Sequence, residues 1–211
     1  MESFEAELER ARGLQVNELA DAIESIGFEC TRCGACCTRE EDDEHTATVF
    51  PDEVRDLESA TGSEWRDVAR PMPYGIDDGE GETFEWALQT TPCGDCVFYE
   101  ESDGVGACTV HPDRPLICRT YPFSVALGGT SQPMGEPVDR EGLVRAHECE
   151  GLGRAISRSD AEALAATLKE RAVRELEEAI AVREAYEPAA VEGIVVHDSE
   201  GQKRPDGSDA T

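Results

Sequence analysis

The chain has 211 residues, enough for one ordinary domain with a modest core. It carries 47 acidic against 19 basic residues, a net charge of −28, and only two of the basic residues are lysines, Lys169 and Lys203. No basic patch is available to neutralise phosphates, which disfavours nucleic-acid binding, and no apolar run is long enough to span a membrane.

The acids are spread along the whole chain and interleaved with apolar periodic segments, whereas an acidic interaction tail would form a block. This distribution suits a halophilic cytoplasm, where high salt screens the self-repulsion of a charged surface and solubility is what remains. The N-terminus, "MESFEAELERARGLQ", is acidic and amphipathic. It lacks the basic start and apolar stretch of a signal peptide, so a cytoplasmic location is expected.

In chain order, residues 4–27 read as a helix with Leu8, Leu14, Leu19, Ile23 and Ile26 on one stripe and Gly27 as its stop. The first 28 residues thus form an N-terminal helical segment. "HTATVF" (45–50) predicts a strand, and Pro51 opens a helix, "PDEVRDLESA", that ends at Gly62. Ser63 is positioned to cap a further helix, "SEWRDVAR". The acids Asp42 and Asp43 read as solvated loop, as does "DDGEGE" (77–82). "TFEWALQT" (83–90) places Phe84, Trp86 and Leu88 on one face of a half-buried strand. "CVFYE" and "ACTVH" predict two short strands around the turn "ESDGVG". "HPDRPLICRTYPF" predicts one helical turn, "FSVAL" a strand, and a Gly- and Pro-rich loop runs on to about residue 140. A long helix follows over about 160–186, within a segment 154–190 expected to pack on the preceding domain. Ser159 and Glu162 match a capping box, and Leu164, Leu168, Ala172, Leu176 and Ile180 form its apolar face. Residues 198–211 are polar and are expected to be disordered.

Nine cysteines dominate the chemistry: Cys30-x2-Cys33-x2-Cys36-Cys37, then Cys93-x2-Cys96, Cys108, Cys118 and Cys149. In a reducing cytoplasm such a framework reads as metal-binding before it reads as disulfides. A C-x2-C step lets one tight turn aim two sulfurs at one centre, in zinc knuckles and iron–sulfur loops alike. A ferredoxin proper is excluded, because its loop would continue with x3-C-P. The radical-SAM spacing is absent too, since Glu40 stands where its last cysteine would be. Buried thiols acting as small hydrophobes would explain one or two of these residues but not the set. Neighbouring Cys36 and Cys37 point in different directions on any regular backbone. They therefore serve two centres, or one centre and one supporting contact. No Ser-His-Asp or Cys-His nucleophile arrangement stands out, and no catalytic residue is assigned.

The stretches "CTRCGACC", "CVFYEESDGVGACTVHPDRPLICRTYPF" and "HECEGLG" resemble the CxxCxxCC cysteine-cluster family, whose members are described as zinc- or iron-chelating domains and include the flagellin lysine N-methylases. On that resemblance Cys30, Cys33, Cys36 and Cys37 match the first cluster, and Cys96 matches the cysteine of a "CPFL"-like strand. Cys108 and Cys118 match the pair around Arg114-Pro115, and Cys149 with Gly151 matches the last element. Cys93 is an extra. The likeness covers about residues 28–153, and the metal-chelating domain is set at 29–153.

The resemblance implies eight thiols, enough for two four-ligand centres or for one cluster with helpers. The methylase members carry an iron–sulfur cluster and methylate flagellin lysines. Here "GLGRAI" (151–156) lacks the third glycine of a nucleotide loop. Arg32, Arg114 and Arg119 are placed to offset the negative charge of a thiolate centre, or to pair with surface acids. His111 and His147 lie at ligand-compatible spacings from Cys108 and Cys149, though ordinary polar or supporting roles suit them better beside so many thiols. Phe84, Trp86, Phe98, Tyr99, Tyr121 and Phe123 read as core, and could also shield a cluster.

The expectation is an α+β fold: a small, cysteine-rich, metal-stapled single domain with short strands, an N-terminal helix and a long C-terminal helix. Ligation would contribute folding energy directly. The cofactor expected first is an iron–sulfur cluster of the 4Fe-4S kind, because closely spaced thiols suit a multi-iron centre; the same ligands would also bind zinc. Three functions compete: redox or cluster-related chemistry, a flagellin N-methylase-like methyltransferase, and a zinc-stabilised interaction module. A redox or protein partner is expected, with neither nucleic acid nor membrane.

Overall fold

Local signals account for most of the helices. In the computed structural model residues 3–39, 44–127, 136–189 and 192–210 are described. Helix α1 (Phe4–Gly13) starts at Ser3, whose Oγ accepts the Ala6 N–H, and places acids in its first turn and arginines in its last. α2 (Val16–Ile26) and the short strand β1 (Thr48–Val49) follow. α3 (Pro51–Thr61) has proline in its first turn and ends on Gly62, whose left-handed backbone (φ 73°) returns its N–H to the Glu58 carbonyl.

Next come α4 (Trp65–Val68), β2 (Ala69–Pro71), β3 (Ile76–Asp77), β4 (Glu80–Thr83), β5 (Trp86–Leu88), β6 (Tyr99–Ser102) and β7 (Val105–Cys108). A 3-10 turn (His111–Asp113) leads to α5 (Leu116–Thr120), β8 (Phe123–Val125), β9 (Asp139–Glu141) and β10 (Val144–Ala146). The chain closes with α6 (Arg158–Ala185), β11 (Ile194–Asp198) and β12 (Gly201–Lys203). The architecture is α+β with short strands and a long C-terminal helix, as expected. Among the described residues no helix is long and apolar enough to cross a membrane.

Several expectations are corrected. The single helix over 4–27 is two helices, broken at Leu14, whose backbone is extended (ψ 136°) and whose side chain is buried. Leu8 and Leu14 are six residues apart, a step that would rotate Leu14 off the Leu8 face of an unbroken helix. The break returns it to the core, and Lys169 Nζ donates to its carbonyl at 2.8 Å. Helix α4 is preceded by Glu64 rather than capped by Ser63, with Asp67 accepting the Glu64 N–H. At α6 the working box is Ser157 with Asp160, not Ser159 with Glu162: Ser157 Oγ accepts the Asp160 N–H at 3.1 Å and donates to its carboxylate at 2.6 Å.

The "DDGEGE" loop is partly the β3–β4 hairpin. The 83–90 strand is shorter than expected: Trp86 and Leu88 are buried, but Phe84 lies outside any strand and is 48% exposed. The Gly- and Pro-rich loop before 140 lies partly, and Asp42 and Asp43 wholly, outside the described residues.

Of the tail expected to be disordered, residues 198–210 are ordered. β11 pairs in parallel with β4 and antiparallel with β12. Asp198 accepts the Trp86 Nε1–H at 2.9 Å. A Cβ on Gly207 would come within 2.4 Å of the Trp65 ring, so the last turn packs on that ring, and Ala210 is buried. Composition hid this because the order comes from backbone pairing to a strand more than a hundred residues earlier.

Two compact units organise these elements: Met1–Cys36 with Leu116–Glu177, and Cys37–Pro115 with Glu178–Thr211. The first holds α1, α2, α5, most of α6 and the antiparallel sheet β8–β10–β9, on which α2 packs. Its core gathers Leu8, Leu19, Ile23, Phe123, Val144 and Leu168. Buried Arg171, on α6, donates through Nε to Glu175 (2.7 Å) and through Nη1 to Thr120 Oγ1 (3.0 Å) and the Phe123 carbonyl (3.3 Å). The second unit holds α3, α4, the sheets β1–β5–β2 and β12–β11–β4–β3, and the β6–β7 hairpin. Its core centres on Trp65 and Trp86, edge to face at 5.1 Å, with Val54, Leu57 and Met72.

Candidate metal centre

In the first unit, the cysteine loop grows out of the end of α2. At Gly27 (φ 80°) the chain turns, and the next residues run antiparallel to 151–153. Phe28 bridges to Leu152, the Glu29 N–H donates to the Gly151 carbonyl (3.0 Å), and the Gly153 N–H donates to the Gly27 carbonyl (3.1 Å). The backbones meet so closely that a Cβ on Gly27 would lie 2.5 Å from the Arg154 oxygen, and one on Gly151 would lie 2.2 Å from the Glu29 oxygen. Only glycine fits at either point. This clamp brings the arm carrying Cys149 beside the arm carrying Cys30. Beyond it the loop curls through positive φ at Arg32 (58°) and Gly34 (81°), on both sides of Cys33.

The electrostatics follow from that clamp. The Cys149 sulfur accepts the Gly151 N–H at 3.4 Å. Burial pushes the Cys149 thiol up; the Gly151 N–H opposes this, and Cys33, Cys36 and Cys30 add to it. Three other cysteines of the loop thus act electrostatically on the Cys149 thiol. The Tyr121 hydroxyl, which donates to the Glu148 carbonyl, is held well above the usual phenol range by burial first, then by Cys149 and Cys36, with Glu148 and Cys33 adding to them. The Phe28 ring, next to the loop, meets Phe123 edge to face at 5.6 Å.

The second unit builds its thiol group locally. Thr91 to Cys96 form a tight turn, closed by the Gly94 N–H on the Thr91 carbonyl and the Thr91 N–H on the Asp95 carbonyl, both 2.8 Å, with Gly94 at φ 88°. The Cys37 carbonyl accepts the Cys96 N–H at 2.8 Å, and the Arg39 N–H donates to Asp95 Oδ1 at 2.9 Å, which ties the segment after Cys37 to this turn. The Cys96 carbonyl then accepts the Tyr99 N–H at 3.0 Å, and Tyr99 is the cross-strand partner of Cys108. Burial raises the Tyr99 hydroxyl, helped by its hydrogen bond to Glu101 and then by Cys37 and Asp95. Cys96 is buried, Cys37 and Cys108 are half-buried, and Cys93 is exposed on the turn.

The remaining sequence-derived candidates lie on other elements. Cys118 is half-buried in α5, three residues before Tyr121. Arg114 donates through Nε to the His111 carbonyl at 3.1 Å, bracing the exposed 3-10 turn, and Arg32 and Arg119 are exposed. His147 is buried and its Nε2 shares a hydrogen bond with Ser124 Oγ at 2.8 Å, an interior role. The "GLG" of 151–153 is engaged in the backbone clamp and is not an open nucleotide loop. Arg171 was missed by sequence reasoning; an arginine one position before Ala172, inside the apolar stripe of α6, is the signal that marks it. Tyr121 reads from the sequence as core or as shielding for a cluster.

None of the nine cysteines is in a disulfide. Among the described residues, no three His, Cys, Asp or Glu side chains already stand in metal-holding geometry. The donor set is nonetheless coherent: closely spaced thiols, one sulfur bonded to a backbone N–H, and turns that bend at glycine. Such a set fits zinc or iron and does not fit magnesium or calcium. Of known protein families, the model named CxxCxxCC, described as "Putative zinc- or iron-chelating domain", matches residues 29–150. No curated protein and no solved structure matches the chain.

Proposed function

Starting from a chain that belongs to the CxxCxxCC family, we propose that its cysteine thiolates hold an iron–sulfur cluster, of the 4Fe-4S kind, that serves redox chemistry or cluster handling. The observation that carries the reading is the backbone clamp that sets the Cys149 arm against the arm leading to Cys30, with the Gly151 N–H already donating to the Cys149 sulfur at 3.4 Å. Backbone N–H bonds to cluster sulfurs are a principal means of tuning reduction potential. A bound cluster would supply one-electron chemistry. The chain's own part is to hold the thiols, to aim the Gly151 N–H, and to place Tyr121 and Phe28 beside the loop. The exposure of Cys30, Cys33 and Cys36 leaves an open side at which a redox or protein partner can exchange electrons. Nine cysteines outside any disulfide suit a reducing, cytoplasmic setting.

The test is anaerobic purification followed by an optical spectrum and analysis of iron, zinc and acid-labile sulfide. A brown protein with iron and sulfide is expected. A colourless protein with stoichiometric zinc would replace the cluster by a structural zinc site and make the chain an interaction module. A folded protein that neither contains nor takes up metal would overturn both.

A further inference from the structure

We infer that the cysteines form two separate thiolate centres, one on Cys30, Cys33, Cys36 and Cys149 and the other on Cys37, Cys96 and Cys108 with Cys93. This deepens the metal-binding reading above and rests on it. The border between the two compact units falls at the peptide bond joining Cys36 to Cys37. The chain on either side of that bond is committed to its own anchor. The arm leading to Cys30 is held by the Glu29–Gly151 and Phe28–Leu152 pairing, which carries Cys149 with it. The segment from Cys37 is held by the Cys96 N–H and by Asp95, on the turn that leads into the Tyr99–Cys108 strand pair. Every bond in each anchor lies within one unit.

Ligand counting supports the same division. Four thiols complete a tetrahedral centre, so the first set does not need Cys37. In the second unit Cys93 stands at C-x2-C spacing from Cys96 on one glycine-bent turn, the geometry that lets two sulfurs reach one ion. The partition thus gives a role to the cysteine that the family pattern leaves over, and it gives the neighbouring pair Cys36–Cys37 a reason: a two-residue junction hands the chain from one centre to the next. Cys118, on α5, stands outside both sets.

The experiment is a cobalt(II) titration of the reduced, metal-stripped full-length chain, read by the thiolate-to-cobalt charge-transfer bands and by the number of equivalents bound. The wild type is expected to saturate at about two equivalents, each with the intensity of tetrahedral thiolate coordination. Cys36→Ser should weaken one of them and Cys37→Ser the other, although the residues are neighbours. The double variants Cys30→Ser/Cys149→Ser and Cys37→Ser/Cys96→Ser should each abolish one equivalent and leave the other, with circular dichroism confirming that the chain stays folded. Saturation of the wild type at one equivalent, or loss of the same equivalent in the Cys36 and Cys37 variants, would overturn the two-centre inference while leaving metal binding intact. A wild type that binds no cobalt would instead overturn the metal-binding reading itself.

Discussion

The two thiol groups are built by opposite means. In the first unit Cys30 and Cys149 lie more than a hundred residues apart, and a backbone clamp between two glycine-containing segments joins them. In the second unit Cys93, Cys96 and Cys108 sit on one turn and the hairpin that follows it, and only Cys37 arrives from a distance. A group closed over a long loop depends on whatever holds the loop ends, whereas a group made by a turn depends on turn chemistry. Damage far from sulfur should therefore disable the first group and spare the second.

The largest expected effect tests that dependence on remote support. Arg171 is buried in α6 and braces Thr120 and the Phe123 carbonyl, on either side of Tyr121, while pairing with Glu175. Arg171→Met removes these bonds, including the one that the half-buried Glu175 carboxylate accepts. The expected loss is about 3 kcal/mol of unfolding free energy, the lower end for a broken buried pair because Glu175 keeps some contact with water. Chemical denaturation would measure it; a loss within error of zero would mean that Arg171 is not the support described.

Gly151→Ala should come next. Its Cβ would stand 2.2 Å from the Glu29 carbonyl oxygen, a backbone atom that cannot yield without opening the clamp. The cost is about 2 kcal/mol, as for other forced overpacking, and the cobalt equivalent of the first unit should disappear while that of the second persists. Gly94→Ala is the matched perturbation in the second unit. Its Cβ would meet Arg39 Cβ and Cδ at 3.3 Å and Glu44 Cγ at 3.5 Å, side-chain atoms that need give only slightly. What remains is the left-handed backbone at φ 88°, worth about 1 kcal/mol for a residue with a Cβ. Equal losses for the two glycine variants would erase the distinction between a long-range and a local centre.

That distinction also explains what could be read from the sequence. Helix α3 was legible from Pro51 to Gly62 because both signals are local, and so was the β6–β7 hairpin around Asp103 and Gly104. The cysteine spacings pointed to metal for the same reason: C-x2-C is a short-range geometric statement. The Glu29–Gly151 clamp, the parallel β4–β11 pairing and the buried place of Arg171 were not legible, since each depends on which distant segment arrives. Even at short range, two serines compete at the start of α6, and only the structure shows Ser157 in the capping role.

The smallest predicted effect concerns the second unit and follows from a contrast along α6. Glu175 has Arg171 beside it; Glu178, less than one turn later, has the Ser199 N–H at 2.8 Å and the acids Asp198 and Asp52 nearby. Burial raises the Glu178 carboxyl above the usual glutamate range, Ser199 opposes this, and Asp198 and Asp52 add to it. A carboxyl raised on folding binds its proton more tightly in the native than in the unfolded chain. Its contribution to stability is therefore fully present below the ordinary glutamate value and is lost as pH rises through the raised one. Glu178→Gln keeps an oxygen to accept the Ser199 N–H and cannot ionise. Thermal unfolding across mildly acidic to neutral pH should show the variant losing less stability than the wild type as pH rises. The gain at neutral pH should be below about 1 kcal/mol, because the site is partly open to solvent. A variant whose profile runs parallel to that of the wild type would mean that the ionised carboxylate sits at Glu178 without cost. The acidity of this chain would then be tolerated inside the second unit as readily as on its surface.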